Sequence, residues 1–270
     1  MTDTGILARG SVARRLNRES FLLLGGTAAL LLQVAHPLVA AGVAQHSGFR
    51  REPFGRLLRT LDTTLAVVFG TTAEARAALR RIDRRHVAVH GTAADGRPYA
   101  AQDPDLLVWV QVTLVMTSLR LYELVMGPLA DAERESYWQE ARFFASELGA
   151  TAGSLPATFA DAARYEQDML SRTVIPDATA REVARDVLHP FRWLPAWASW
   201  PLDAVTAGLL PEAPRTAFGL RWRRRERLFF RGVIVALRGS VPLLPERLRF
   251  VPQARRYAAR AAEAGGVRMD

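Results

Sequence analysis

Asp83, His86 and His90 fall at i, i+3 and i+7 of a stretch that reads as a helix running to about His90. At that spacing the three side chains would share one helical face. A carboxylate and two imidazoles on one face can ligate iron or zinc together, in the manner of a facial triad. A haem, by contrast, takes one axial imidazole and leaves the other face of the iron open. The chain has no cysteine and five histidines, so disulfides, thiolate-ligated haem and cysteine-type zinc sites are excluded. A thiol-free chain fits a cytoplasmic setting.

Two further polar clusters interrupt apolar sequence. Arg56, Arg59 and Thr60 place two guanidinium groups and a hydroxyl along the inner edge of a helix expected over 53–69. Such a set suits carboxylates or bound oxygen. Gln33, His36, Gln45 and His46 lie in the segment from Ser20 to Phe49, which contains no Asp, Glu or Arg. Polar side chains there must find hydrogen bonds, either with one another across Pro37 or at the wall of a pocket.

These groups must be positioned by helices. Ser20–Ala35 and a second segment from Pro37 read as core helices broken at the proline, which cannot donate the backbone bond a continuous helix needs. Phe21–Ala44 is also long enough to span a bilayer core of about 30 Å. The glycines, His36 and Pro37 within it favour a buried position over a membrane span. Thr71-Thr-Ala-Glu74 and Thr179-Ala-Arg-Glu182 have the pattern of capping boxes. Asp103-Pro104 opens a long apolar helix closed by Gly127-Pro128, and Asp95-Gly96-Arg-Pro98 is a turn. Further helices are expected over Asp131–Leu148, Thr158–Ser171, Val205–Leu210, Thr216–Leu237 and Pro252–Ala264. Alternating strand patterns are nearly absent. The expectation is an all-α, multi-helix single domain over residues 19–270, preceded by a loose basic leader over 1–18. No small-residue cleavage site of the secretory type follows that leader.

The 270 residues are 49% hydrophobic and 23% charged, a globular composition. All 36 basic residues are arginine, and the net charge is +9. The densest basic run, Arg221–Arg227, carries Trp222 and is followed by Phe229 and Phe230. It lacks the signature of any nucleic-acid-reading motif, so a solvated helix face or peripheral membrane contact is expected rather than specific nucleic-acid binding.

Several blocks in order resemble one family. They are Gln33-Val-Ala-His36-Pro37-Leu-Val-Ala-Ala-Gly42, Arg56-Leu-Leu-Arg59-Thr60, His86-Val-Ala-Val-His90-Gly91, Asp95-Gly-Arg-Pro-Tyr99 and Asp103-Pro-Asp-Leu-Leu-Val-Trp109. Over roughly residues 20–240 the chain resembles the rubber oxygenases (latex clearing proteins) and the fungal oxygenase of the mycophenolic-acid pathway. The resemblance implies a globin-like helical core, haem b and the use of O2 on a carbon–carbon double bond of a small hydrophobic substrate, isoprenoid or lipid. It implies that His86 is the axial iron ligand and that Arg56 and Thr60 support haem binding. Arg59 would lie near the distal side, where rubber oxygenases carry a lysine. A guanidinium does not deprotonate, so Arg59 cannot take over that lysine's role as a ligand. Rubber oxygenases also place a glutamate, proposed as a base, before the Arg-Thr motif. Here no Asp or Glu occurs between Glu19 and Glu52, which leaves His46 or His36 to serve. Two alternatives stand beside this reading: a non-haem metal enzyme on Asp83, His86 and His90, from their shared helical face, and, from these departures, a non-catalytic haem- or lipid-binding protein.

Overall fold

Asp103 and Pro104 start the helix around which the others pack. The Asp103 carboxylate accepts from the Asp105 N–H at 2.9 Å, and Pro104 occupies a first-turn position that needs no donor. The helix Pro104–Met126 ends at Gly127, whose φ of 96° is the left-handed conformation glycine adopts freely. It buries side chains on nearly all sides, Val108, Trp109, Val112, Thr113 and Leu121 among them, so it is a central helix and not an amphipathic surface one.

The computed structural model describes residues 3, 5–46, 62–151, 153–189 and 195–264. In chain order these form α1 (Val12–Asn17), a 3-10 segment (Ser20–Gly25), α2 (Gly26–Val34), α3 (Pro37–His46), α4 (described over 62–69) and α5 (Thr72–Val87). A hairpin of β1 (His90–Thr92) and β2 (Pro98–Ala100) leads into α6, the central helix. Then come α7 (Asp131–Glu147), α8 (Phe159–Asp168) with a π-type turn (Met169–Thr173), α9 (Ala178–Leu188), α10 (Ala196–Leu209) and α11 (Glu212–Ala217). The chain continues with α12 (Arg224–Ser240), a second 3-10 turn (Val241–Leu243), α13 (Glu246–Arg249) and α14 (Pro252–Ala264). The all-α expectation holds. One apolar cluster runs from Leu7 to Ala254 through α2, α6, α7, α9 and α12.

Several local expectations are confirmed by geometry. Thr71 caps α5: its Oγ1 accepts from the Glu74 N–H at 3.2 Å, and Glu74 Oε2 accepts from the Thr71 N–H at 2.7 Å. The break at Pro37 bends the chain by 109° between Ser20–Val34 and Pro37–His46. Phe21–Ala44 is therefore not one straight span. Among the described residues α6 alone is long and apolar enough to cross a membrane, and 61% of its apolar window is buried inside the fold.

Four expectations are corrected. The basic leader is not loose: Leu7, Ala13 and Leu16 are buried, Glu140 accepts from the Val12 and Ala13 N–H groups, and Arg14 is held by the Val68 carbonyl and the Tyr257 hydroxyl. The capping box at Thr179 does not form. Asp177 caps α9 instead, accepting from the Ala180 N–H at 2.7 Å, so Thr179 lies inside the helix. The helix expected from Thr216 is two, because Gly219 at φ 70° ends α11 and α12 starts at Arg224. The segment expected to be helical from Val205 starts at Ala196 and carries Pro201 within it.

Where α10 crosses α12, Gly208 meets the ring of Phe230. A Cβ at residue 208 would sit 2.4 Å from that ring. Gly208→Ala should therefore lower stability by about 1–3 kcal/mol through overpacking, read as a lower urea midpoint with unchanged m-value.

Candidate functional site

The candidate site is built where α3 lies across the hairpin. α5 stops at Val87 rather than at His90: the Val89 N–H bonds back to the His86 carbonyl at 2.9 Å, and the Ala101 N–H reaches the Val89 carbonyl at 2.8 Å. From His90 the chain is strand, with His90 opposite Ala100 and Gly91 opposite Tyr99. The turn is closed by Gly96 at φ 85° and by Asp95, which accepts from the Arg97 N–H at 3.1 Å and from Arg97 Nε at 2.8 Å.

Tyr99 is buried against Ala41 and Ala93 and carries the contact between helix and hairpin. Its hydroxyl donates to Gln45 Oε1 at 2.6 Å, while Gln45 Nε2 donates to the Thr92 carbonyl at 3.0 Å. His46 Nε2 lies 2.9 Å from the His90 carbonyl and 3.1 Å from the Tyr99 oxygen. A carbonyl only accepts, so Nε2 carries the proton and Nδ1 is the basic nitrogen of the neutral ring. Gly91 makes the approach of Tyr99 feasible. A Cβ there would stand 2.8 Å from the Tyr99 hydroxyl and 3.1 Å from Gln45 Oε1.

His86 ends α5 a few residues before the hairpin, and His36 stands directly before Pro37 at the start of α3. His86, half-buried on the last turn of α5, has an Nδ1 with no hydrogen-bond partner among the described residues. Burial lowers its pKa, against the weaker opposing pull of the Asp83 carboxylate. His36, 6% exposed, likewise has an unpartnered Nδ1. Burial also lowers its pKa, with Arg97 adding to the effect and Asp103 opposing it. Both rings are therefore neutral near pH 7, the form that offers a lone pair.

The three-residue metal face does not form. Asp83 Oδ1 accepts from Gln102 Nε2 at 2.8 Å, and His90 is an exposed strand residue beyond the helix end. Among the described residues no three His, Asp or Glu side chains are grouped to hold a metal ion. Arg56, Arg59 and Thr60 lie outside the described residues. Trp109 is core, its Nε1 donating to the Gln33 carbonyl at 3.3 Å, and Gln111 anchors α6 to α7 through the Ala141 carbonyl at 3.0 Å.

Residues 13–239 match the family described as "ER-bound oxygenase mpaB/B'/Rubber oxygenase, catalytic domain". The chain belongs to this oxygenase family. It is also similar to two mycobacterial proteins, "Uncharacterized protein Rv2237" of Mycobacterium tuberculosis (strain ATCC 25618 / H37Rv) and "Uncharacterized protein Mb2261" of Mycobacterium bovis (strain ATCC BAA-935 / AF2122/97). Each is 30% identical over 231 residues, covering 81% of this chain and 88% of the relative. Within the family's catalytic domain, His86 fits a haem iron on its chemistry: a neutral imidazole with an unpartnered nitrogen meets the need for one axial nitrogen donor. Tyr99 and Gln102 carry no chemical signal in the sequence, and Gly91, where a helix-ending glycine is expected, lies instead within β1. The available signal is the turn Asp95-Gly96-Arg97-Pro98, which lets Gly91 and Tyr99 pair across the hairpin.

Gly91→Ala should push the Tyr99 hydroxyl away from Gln45 and lower stability by about 1–3 kcal/mol, whereas Tyr99→Phe, which removes only the hydrogen bond, should cost about 1 kcal/mol. Thermal melts of the two variants check the order. The buried histidines also set a pH dependence. Their folded pKa values lie below the unfolded value of about 6.5, so their contribution is full above that pH and is lost as pH falls below it. The melting temperature should drop between about pH 7 and pH 5, and His36→Gln should flatten that drop.

Proposed function

We propose that this chain is a haem-b-dependent oxygenase that uses O2 to oxidise or cleave an alkene of a hydrophobic substrate, isoprenoid or lipid. Membership of the oxygenase family supports the reaction class. The observation that carries the cofactor is the unpartnered, neutral imidazole of His86 at the end of α5. When bound, haem supplies the dioxygen chemistry. The chain's own part is to hold and orient. His86 would supply a nitrogen ligand to the iron of a bound haem, and the turn made by the Val89 N–H on the His86 carbonyl fixes the backbone that carries the ring. Arg56 and Thr60 would hold the edge of the haem and Arg59 would stand near its distal side.

His46 is the better proton acceptor of the two histidines that can replace the family's glutamate. It is exposed at the end of α3, and its Nε2–H is engaged by the His90 carbonyl, which directs Nδ1 as the base. His36 is enclosed and held by its burial in the neutral state, so it serves as a lining residue.

Purified protein should show a Soret band that His86→Ala abolishes and His90→Ala retains. Normal haem loading in His86→Ala would remove His86 as the ligand. With haem bound, O2 uptake on an isoprenoid alkene should fall about 10²–10⁴-fold in His46→Ala without loss of the Soret band, as for removal of a general base.

A further inference from the structure

A second surface feature belongs to none of this. The outward side of α12 is apolar: Leu228, Gly232, Val235 and Gly239 recur at helical spacing and are exposed, Leu228 at 56% and Val235 at 68%. The following turn, Pro242-Leu-Leu-Pro245, presents Leu243 at 83% exposure, and Leu248 on α13 is 61% exposed. Trp197 on neighbouring α10 is 78% exposed, one turn before Trp200, whose ring lies 4.7 Å from Phe229 of α12. Beside the turn is a groove of about 260 Å³, lined chiefly by Phe21, Leu24, Leu237, Val241 and Leu244.

Cations surround this apolar strip. Arg221, Arg223, Arg224, Arg225, Arg227, Arg231, Arg238 and Arg247 are all exposed. Between residues 221 and 249 the sequence has two acids, Glu226 and Glu246. Glu226 is buried and turned inward, accepting from Trp200 Nε1 at 3.2 Å and from the Arg223 N–H at 2.9 Å.

We propose that this face docks on an anionic phospholipid bilayer. The arginines would take headgroup phosphates, and Trp197, Leu228, Val235 and Leu243 would enter the boundary with the acyl chains. The combination decides the partner. A nucleic acid would engage the arginines and leave the leucines in water. A two-fold dimer would cover the leucines but set like charges against one another. None of these residues belongs to the candidate site, so lipid binding and oxygenase activity can be gained or lost separately.

The test is sedimentation of the full chain with phosphatidylcholine vesicles, with and without phosphatidylglycerol. Binding is expected only where phosphatidylglycerol is present. Leu243→Glu, and separately Arg224→Glu with Arg231→Glu, should each weaken it about tenfold or more. Arg76→Glu with Arg80→Glu, the same charge change on the exposed side of α5, should leave it intact. Absence of binding to phosphatidylglycerol vesicles would overturn the proposal. So would wild-type binding by Leu243→Glu, or equal loss in the α5 pair, since either means unspecific polyanion adhesion. A dimer in solution that Val235→Glu converts to monomer would assign the face to a second copy instead.

Discussion

The site depends on Pro37. Without an N–H, residue 37 cannot continue α2, and the chain bends by 109° there. The His36 carbonyl then accepts from the Ala40 N–H at 3.0 Å and starts α3 in a new direction. Both helices stay in the core: α2 packs on α6 and α9, while α3 packs on α9 and the hairpin. A straight helix through this segment would carry Gln45 and His46 away from Tyr99. The bend also encloses His36, which accounts for its depressed pKa and its lone Nδ1.

From that bend the geometry follows in steps. α3 ends in two polar residues that reach the hairpin, Gln45 on Tyr99 and Thr92, His46 on His90 and Tyr99. The hairpin joins α5 to α6, so fixing it fixes the last turn of α5, where His86 sits, relative to the core helix. Gln102, just before α6, also donates to Asp83 on α5, a second tie between the two helices. His86 is thus held by elements that are themselves tied to the centre of the fold.

Much of this was legible locally and less of it at a distance. Thr71 and Glu74, Asp103 and Pro104, and the stop at Gly127 are decided within one helical turn, so spacing alone identifies them. The end of α5 is decided by pairing with β2, a contact across the turn at Gly96. The helical spacing of His86 and His90 therefore misplaced His90 on the helix face. Asp177 outcompeted Thr179 because its carboxylate reaches the Ala180 N–H from two residues further back, an equally good local pattern that sequence did not rank. The parts of Trp109 and Gln111 are set by distant contacts, with the Gln33 and Ala141 carbonyls, which no local pattern displays.

The account's central claim is that an all-α member of this oxygenase family presents one neutral histidine to a haem. The most direct measurement is a pyridine haemochrome assay on freshly purified protein alongside total metal. The account predicts equimolar protohaem that accounts for all of the iron. Stoichiometric iron or zinc without porphyrin would contradict it.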